Sequence, residues 1–286
     1  MKYALVGGDR RAAILSALLA RDGHRVCCYA LERADTPPEV LKTGCIQGCV
    51  YGADCVILPL PSERGGLLNA PLSSSVLTME EVIGALWPGQ VVAGGRFSER
   101  SLELAIRAGL RIEDILLRPD FTQANAALTA ECALARLIDG SERALLGAPV
   151  LVCGWGRIGR LLALRLAALG ARVTVAARSR ADRAQARSFA LSALDYGELE
   201  GEIGGFDFIV NTVPARVITE AMLCTASDTA LLLELASPPG GFDRNLAENI
   251  GLHAETAPGL PGKAAPYSAA ELIRRAIYEI MSEQED

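Results

Sequence analysis

The sequence predicts an α/β protein made of two successive doubly wound halves. Three observations carry that prediction. Short apolar runs, several of them ending in glycine, alternate with helical patterns along nearly the whole chain, which is the signature of parallel strands covered by crossover helices. The alternation restarts after residue 145. The chain has 286 residues, 50% of them hydrophobic, and a net charge of -6, enough apolar side chain for two cores of ordinary size.

In the first half, KYALVGG (residues 2–8) reads as a strand running into a glycine turn, followed by a helix over residues 11–21. HRVCCYA (24–30) and DCVILPLP (54–61) read as buried strands, with an exposed loop over residues 71–75, TMEEVIGAL (78–86) as a helix and QVVAGG (90–95) as a strand. SERSLELAIRAG (98–109) follows as a helix, started by Ser98 or Glu99 and closed by Gly109. The alanine- and leucine-rich stretch 122–145 reads as one long interdomain helix. The second half repeats the pattern: strand 149–153, helix 157–169, strand 171–177, helix 180–188, strand 207–213, helix 216–224, then strands 230–236 and 252–258. An amphipathic helix from Ser268 closes the chain and is a candidate to cross back to the first domain. The division is thus 1–121, 122–145, 146–267 and 268–286, with a ligand cleft expected between the two domains.

Composition narrows the partners. An acidic pI near 5.2 argues against general nucleic-acid binding. No uncharged apolar stretch is long enough to span a membrane, and Asp9, Arg10 and Arg11 interrupt the opening apolar run, so a cytoplasmic protein is expected. The 8 cysteines include no CxxC pair and fall largely in apolar runs, as free thiols of a reducing compartment do; no metal site is expected. Basic charge is carried by 25 arginines against three lysines, Lys2, Lys42 and Lys263.

One motif carries chemistry. In CGWGRIG, Gly154, Gly156 and Gly159 occupy the three positions of G-x-G-x-x-G, after a buried strand and at the opening of a helix. In that context the first glycine permits a tight turn, the second lets the backbone approach a pyrophosphate, and the third lets helix and strand pack closely. Arg157 and Ile158 lie in the same turn, beside a helix N-terminus that offers free N–H groups. The half is therefore a Rossmann-type dinucleotide domain, and the first half a Rossmann-like or flavodoxin-like companion.

About twenty residues beyond the loop an NAD site normally places an acidic residue for the ribose hydroxyls. Arg178, Ser179 and Arg180 stand there instead, which favours a 2′-phosphate and therefore NADP over NAD. Asn211, Thr212 and Pro214 end a later strand, where the nicotinamide riboside is expected.

Five stretches of this chain resemble the family of dipicolinate synthase A subunits. They are Gly7, Gly8, Asp9 and Arg11; Asn125, Thr129 and Glu131; Asn211, Thr212 and Pro214; Leu235 to Ser237 with Pro239 to Gly241 and Asp243; and Ala257 to Lys263 with Ala265 and Pro266. The last two do not belong to generic Rossmann dehydrogenases. Leu128, Cys132, Glu234 and Tyr267 depart from the family pattern. The resemblance implies oxidation of dihydrodipicolinate, or of its hydroxylated tetrahydro precursor, to dipicolinate in the mother cell during sporulation. It also implies a partner, a flavoprotein-like B subunit; a homo-oligomer is neither required nor excluded.

Hydride removal that aromatises a ring needs placement more than a strong acid–base pair, which suits a chain with only 2 histidines. Neither His24 nor His253 reads as catalytic. Arg11 and Lys263 are the candidate carboxylate ligands, Asp9, Asn125 and Thr129 further substrate contacts, Glu131 a proton relay, and Ser237 a shaper of the nicotinamide side. Two other readings remain: an NADP-dependent 2-hydroxy acid dehydrogenase, which lacks a convincing histidine–carboxylate–arginine set here, and a non-catalytic NADP-binding scaffold for a flavoprotein.

Overall fold

The computed structural model describes residues 1–284, which divide into two compact units: 1–125 with 265–284, and 126–264. The first unit opens with β1 (Lys2–Val6), α1 (Arg10–Arg21), β2 (Arg25–Tyr29), β3 (Val40–Lys42) and α2 (Ile46–Val50). It continues through β4 (Cys55–Ile57), a hairpin of β5 (Glu63–Arg64) and β6 (Leu67–Leu68), α3 (Met79–Gly84), β7 (Val91–Gly94), α4 (Glu99–Arg107) and β8 (Arg111–Asp114). Its six main strands are all parallel, in the order β3-β2-β1-β4-β7-β8.

The period-2 alternation of β1 shows how the layers form. Tyr3 and Leu5 point into a core shared with Leu15 and Leu19 of α1, while Ala4 and Val6 point into one shared with Val50, Val82 and Ala105 of α2, α3 and α4. A parallel sheet buried on both faces needs an apolar residue at every position of its central strand, which explains the unbroken run.

The long helix α5 (Pro119–Asp139) carries the chain from the first unit into the second. It starts three residues before the expected helix and stops six residues short of its expected end at 145. Gly140 ends it: the Gly140 N–H closes on the Arg136 carbonyl at 2.9 Å, and residues 141–145 leave the helix.

The second unit runs β9 (Pro149–Cys153), α6 (Arg157–Ala168), β10 (Arg172–Ala176), α7 (Arg180–Ser188), β11 (Ser192–Leu194) and α8 (Tyr196–Glu202). Then come β12 (Phe208–Asn211), α9 (Glu220–Thr225), β13 (Leu231–Glu234), α10 (Arg244–Asn249), β14 (His253–Thr256) and the short α11 (Leu260–Ala264). Its strand order, β11-β10-β9-β12-β13-β14, reproduces that of the first unit, again all parallel. The expected helix at 216 begins four residues later, because Thr219 caps it by accepting from the Met222 N–H.

The last helix, α12 (Pro266–Ser282), is part of the first unit and packs on α1. Pro266 opens it, a position where the missing N–H costs nothing. Ala270, Ile273, Ala276, Ile277 and Ile280 all bury into the core that holds Tyr3 and Leu15. At its edge Asp22 accepts from the Tyr278 hydroxyl at 2.6 Å and from Arg274 at 3.0 Å. Farther along, Arg118 grips Glu283 through both terminal nitrogens, at 3.0 and 2.5 Å. The chain's return is therefore fixed by apolar burial and sealed by ion pairs.

Candidate functional site

In each unit the strand order reverses beside the first strand, β1 or β9, where two neighbouring connections leave on opposite sides of the sheet and open a crevice. In the second unit that crevice is a cleft of about 590 Å³. Its floor is the turn after β9. Gly154 has φ of +101°, a conformation that a side chain strains, and a Cβ there would meet the Thr212 hydroxyl at 2.6 Å. Gly159 is buried one turn into α6, and a Cβ on it would lie 2.2 Å from the Gly154 carbonyl oxygen. Gly156 is different: nothing lies within 4 Å of where its Cβ would be, and it faces the cleft as the N-cap of α6 with no side chain accepting from the first turn. Free backbone donors with a positive helix end, and no protein group filling the space before them, are what a pyrophosphate requires. The residues present therefore fit a dinucleotide.

The walls come from the carboxyl ends of neighbouring strands. Arg178 and Ser179 follow β10, and Thr212, Val213 and Pro214 follow β12. Ser179 caps α7 by accepting from the Asp182 N–H, which leaves its own O–H to donate. The strand end that presents Arg178 is held by Arg183, whose Nη1 donates to the carbonyls of Ala177 and Arg178 at 2.6 and 2.7 Å. Thr212 donates to the Cys153 carbonyl at 2.8 Å and so ties the β12 end to the glycine turn.

Several expected cofactor residues take other places. Arg180 lies outside the cleft, in a neighbouring groove with Arg183, Arg187, Asp195 and Glu198, because it starts α7 on the other face. Arg157 is exposed and Ile158 half-buried; neither lines the cleft, nor does Ser237. Asn211 is fully buried and spent on the protein: its amide donates to the Val213 carbonyl at 2.9 Å and to Glu234 at 2.7 Å, and its Oδ1 accepts from the Val213 N–H. Asn211 shapes the loop that lines the cleft instead of facing it.

Glu234 completes that buried arrangement. Its carboxylate accepts from Asn211, from the Ala236 N–H at 2.9 Å and from the Gly241 N–H at 2.6 Å. Burial nevertheless pushes its pKa above the usual carboxylate value, the three donors opposing. Gly241 can only be glycine, since a Cβ there would sit 2.3–2.5 Å from the Asn211 amide. The stretch around Gly240 is thus loop architecture, organised around the buried Glu234 carboxylate.

Trp155, Asp182 and Tyr196 also line the cleft, and sequence spacing gave no sign of them. Trp155 lies between the two turn glycines and donates to Gln185 at 2.7 Å, bracing the turn against α7. Burial raises the Tyr196 phenol well above its ordinary pKa, although the Arg178 charge opposes this, so a neutral hydroxyl borders the cleft.

In the first unit, Asp9 caps α1 by accepting from the Arg11 N–H, and Arg11 turns back on the same carboxylate. Its Nε reaches Asp9 at 3.0 Å and its Nη2 at 2.8 Å, with the Leu60 carbonyl a further 2.5 Å partner. The expected carboxylate ligand thus has its fork occupied by its own neighbour, and only Nη1 is uncommitted. Asn125 is half-buried, Thr129 buried and Glu131 exposed, all on α5, with Asn125 in the first unit and the others in the second. Lys263 is exposed on the short helix α11. His24 packs edge-on to Tyr3 and Tyr278, and exposed His253 lies 3.6 Å from Glu255.

Residues 2–116 match the N-terminal domain of the dipicolinate synthase A subunit; residues 121–231 match the NAD-binding domain of D-isomer-specific 2-hydroxyacid dehydrogenases. The dipicolinate synthase A subunit of Bacillus subtilis (strain 168) is 28% identical over 286 residues, covering 99% of this chain and 96% of that protein. The chain is thus similar to dipicolinate synthase A subunits along nearly its whole length. The crystal structure of the dipicolinate synthase A subunit from Bacillus halodurans superposes with a TM-score of 0.85 at 26% identity, covering 98% of this chain and 97% of its own. The A chain of dipicolinate synthase from Bacillus subtilis gives 0.84 at 27%, covering 99% and 96%. With a dehydrogenase-type nucleotide domain in its second half, the protein is an NAD(P)-dependent oxidoreductase. No helix among the described residues is long and apolar enough to cross a membrane.

Proposed function

We propose that the protein oxidises dihydrodipicolinate or, with loss of water, its hydroxylated tetrahydro precursor to dipicolinate with NADP, as the A subunit of a dipicolinate synthase. The carrying observation is likeness to the family over both units, joined to a nucleotide cleft whose exposed cation, Arg178, stands where an NAD site carries an acid. The 2-hydroxyacid dehydrogenase match spans the nucleotide half and brings no substrate with it.

A bound nicotinamide would supply the hydride acceptor, and aromatisation of the substrate ring the driving force. The chain's part is to bind and orient. The α6 N-terminus and Gly156 receive the pyrophosphate, Arg178 with the Ser179 hydroxyl receives the 2′-phosphate, and Thr212 and Pro214 border the nucleoside. Lys263 is the carboxylate-binding cation, with Arg11 contributing through Nη1 and Asp9 holding that guanidinium in place. Asn125 and Thr129 are further substrate contacts, and Glu131 takes the ring proton. The assembly includes a flavoprotein-like B subunit in the cytoplasm of the mother cell.

The test is absorbance at the reduced-nicotinamide band with the purified chain, with and without a B-type partner, and freshly generated dihydrodipicolinate. NADPH should accumulate in step with dipicolinate. Turnover of a 2-hydroxy acid at comparable efficiency would sink the substrate assignment. Turnover with the partner that survives Gly156→Asp would sink hydride transfer by this chain.

A further inference from the structure

The nucleotide cleft carries an anion as well as a cation, and both are uncommitted. Arg178 is exposed at the end of β10, and its guanidinium has no hydrogen-bond or ion-pair partner among the described residues. Asp182 lies four residues on, half-buried in the first turn of α7. Its backbone N–H is taken by Ser179, but its carboxylate accepts no hydrogen bond and has no basic nitrogen within salt-bridge distance among the described residues. Both side chains line the same 590 Å³ space.

A carboxylate can only accept hydrogen bonds, and the two ribose hydroxyls of an unphosphorylated adenosine can only satisfy it by donating. A 2′-phosphate offers acceptors and a charge of about -1.5 to -2, which a nearby carboxylate repels. Like charges within roughly 4–6 Å disfavour one another strongly, and salt screens little at that range. We propose that Asp182 is a specificity-determining residue: it receives the adenosine ribose hydroxyls of NAD, opposes the 2′-phosphate of NADP, and so limits the preference that Arg178 sets. The acidic group usual at the strand end has in effect moved one helical turn onward, where it shares the cleft with the arginine. The cleft therefore takes both cofactors. This rests on the reading that the cleft binds a nicotinamide dinucleotide.

A purely structural role for Asp182 is the alternative, since an acid in the first turn of a helix complements its dipole. That role would show as lost thermal stability with no change in cofactor choice. The deciding experiment is calorimetric titration of the full chain with 2′,5′-ADP and 5′-AMP, paired with NADPH and NADH binding read by quenching of protein fluorescence. Wild type should bind both fragments, 2′,5′-ADP no more than about tenfold tighter. Asp182→Asn should widen that ratio by about five- to tenfold, with 2′,5′-ADP strengthened and 5′-AMP weakened, the scale of one charge-assisted bond. An unchanged ratio, or weaker 2′,5′-ADP, overturns the proposal, as does a wild type that rejects 5′-AMP while binding 2′,5′-ADP. Asp182→Ser, which keeps a small polar group at the same turn, gives the same readout if the Asn variant fails to fold. A wild type that binds none of the four ligands would instead overturn the nucleotide reading beneath it.

Discussion

The two units have the same strand order and a glycine turn at the point where that order reverses, yet the described residues leave a wide cleft at the turn of the second and a small cavity at that of the first. In the first, the hairpin of β5 and β6 covers the turn: a Cβ on Gly7 would meet Leu68 at 2.7 Å and Ala70 at 3.1 Å. Asp9 supplies the negative charge that the α1 N-terminus attracts, and Arg11 neutralises it, leaving a cavity of about 20 Å³. In the second, Gly156 caps α6 with no side chain and about 590 Å³ lies before it. The lesson is that the fold provides the crevice and the capping residue decides its use. A helix N-terminus satisfied by its own chain is a structural joint; one left unsatisfied is an anion site.

The halves also differ in how they are closed, which gives the largest expected effect. Ile277 is fully buried where α12 meets α1, so Ile277→Ala should cost about 2–5 kcal/mol in urea denaturation while leaving NADPH affinity unchanged in the fraction that stays folded. Loss of affinity at full foldedness would show that the halves are not independent in this sense. Gly156→Asp places a permanent carboxylate where the α6 donors stand open, imitating Asp9 of the first unit. Dinucleotide affinity should fall at least about a hundredfold with little change in melting temperature.

Cofactor choice comes next. Arg178→Asp should weaken NADPH about ten- to a hundredfold more than NADH in paired titrations, the value of a charge-assisted phosphate contact. Equal losses would show that Arg178 does not touch the 2′-phosphate. In the first unit, Asp9→Ala removes both the α1 cap and the partner of Arg11, and should cost about 0.5–2 kcal/mol; Asp9→Ser should recover part of it.

The smallest effect is pH-dependent. The Tyr278 hydroxyl, and then Arg274, hold the Asp22 carboxyl below its ordinary value of 3.8, with burial opposing. A lowered acid stabilises the fold above its unfolded pKa and loses that contribution as pH falls through the folded one. The stability gap between wild type and Tyr278→Phe should therefore be present above about pH 5 and shrink below pH 3.8. A gap that persists in acid would assign it to packing.

Much of this was legible locally. The unbroken run Tyr3–Val6 reads as a central strand because both faces are buried, and Gly154, Gly156 and Gly159 fall at their spacing because the turn, the approach and the packing each need one. Strands β3 and β11 were missed because three-residue edge strands carry too few side chains for a period. The hairpin of β5 and β6 was missed because its pairing is two residues long. Ser98 and Gly109 delimited α4, whereas the end of α5 was overrun, since alanine and leucine continue to favour helix past the point where Gly140 closes it.

What the sequence by itself determined was the class of fold, the nucleotide turn and the cation at the end of β10, each encoded within a few adjacent residues. What only the tertiary structure decided was which polar groups remain to meet a ligand. Asn211 and Arg11 are suited to binding by type, but long-range neighbours Glu234 and Leu60 help to occupy them. Asp182 is an ordinary first-turn acid by type, yet packing sets it in the cleft with Arg178. A hydrogen-bonding group can be spent within the fold or offered to a ligand, and that choice is made by residues far away in the chain.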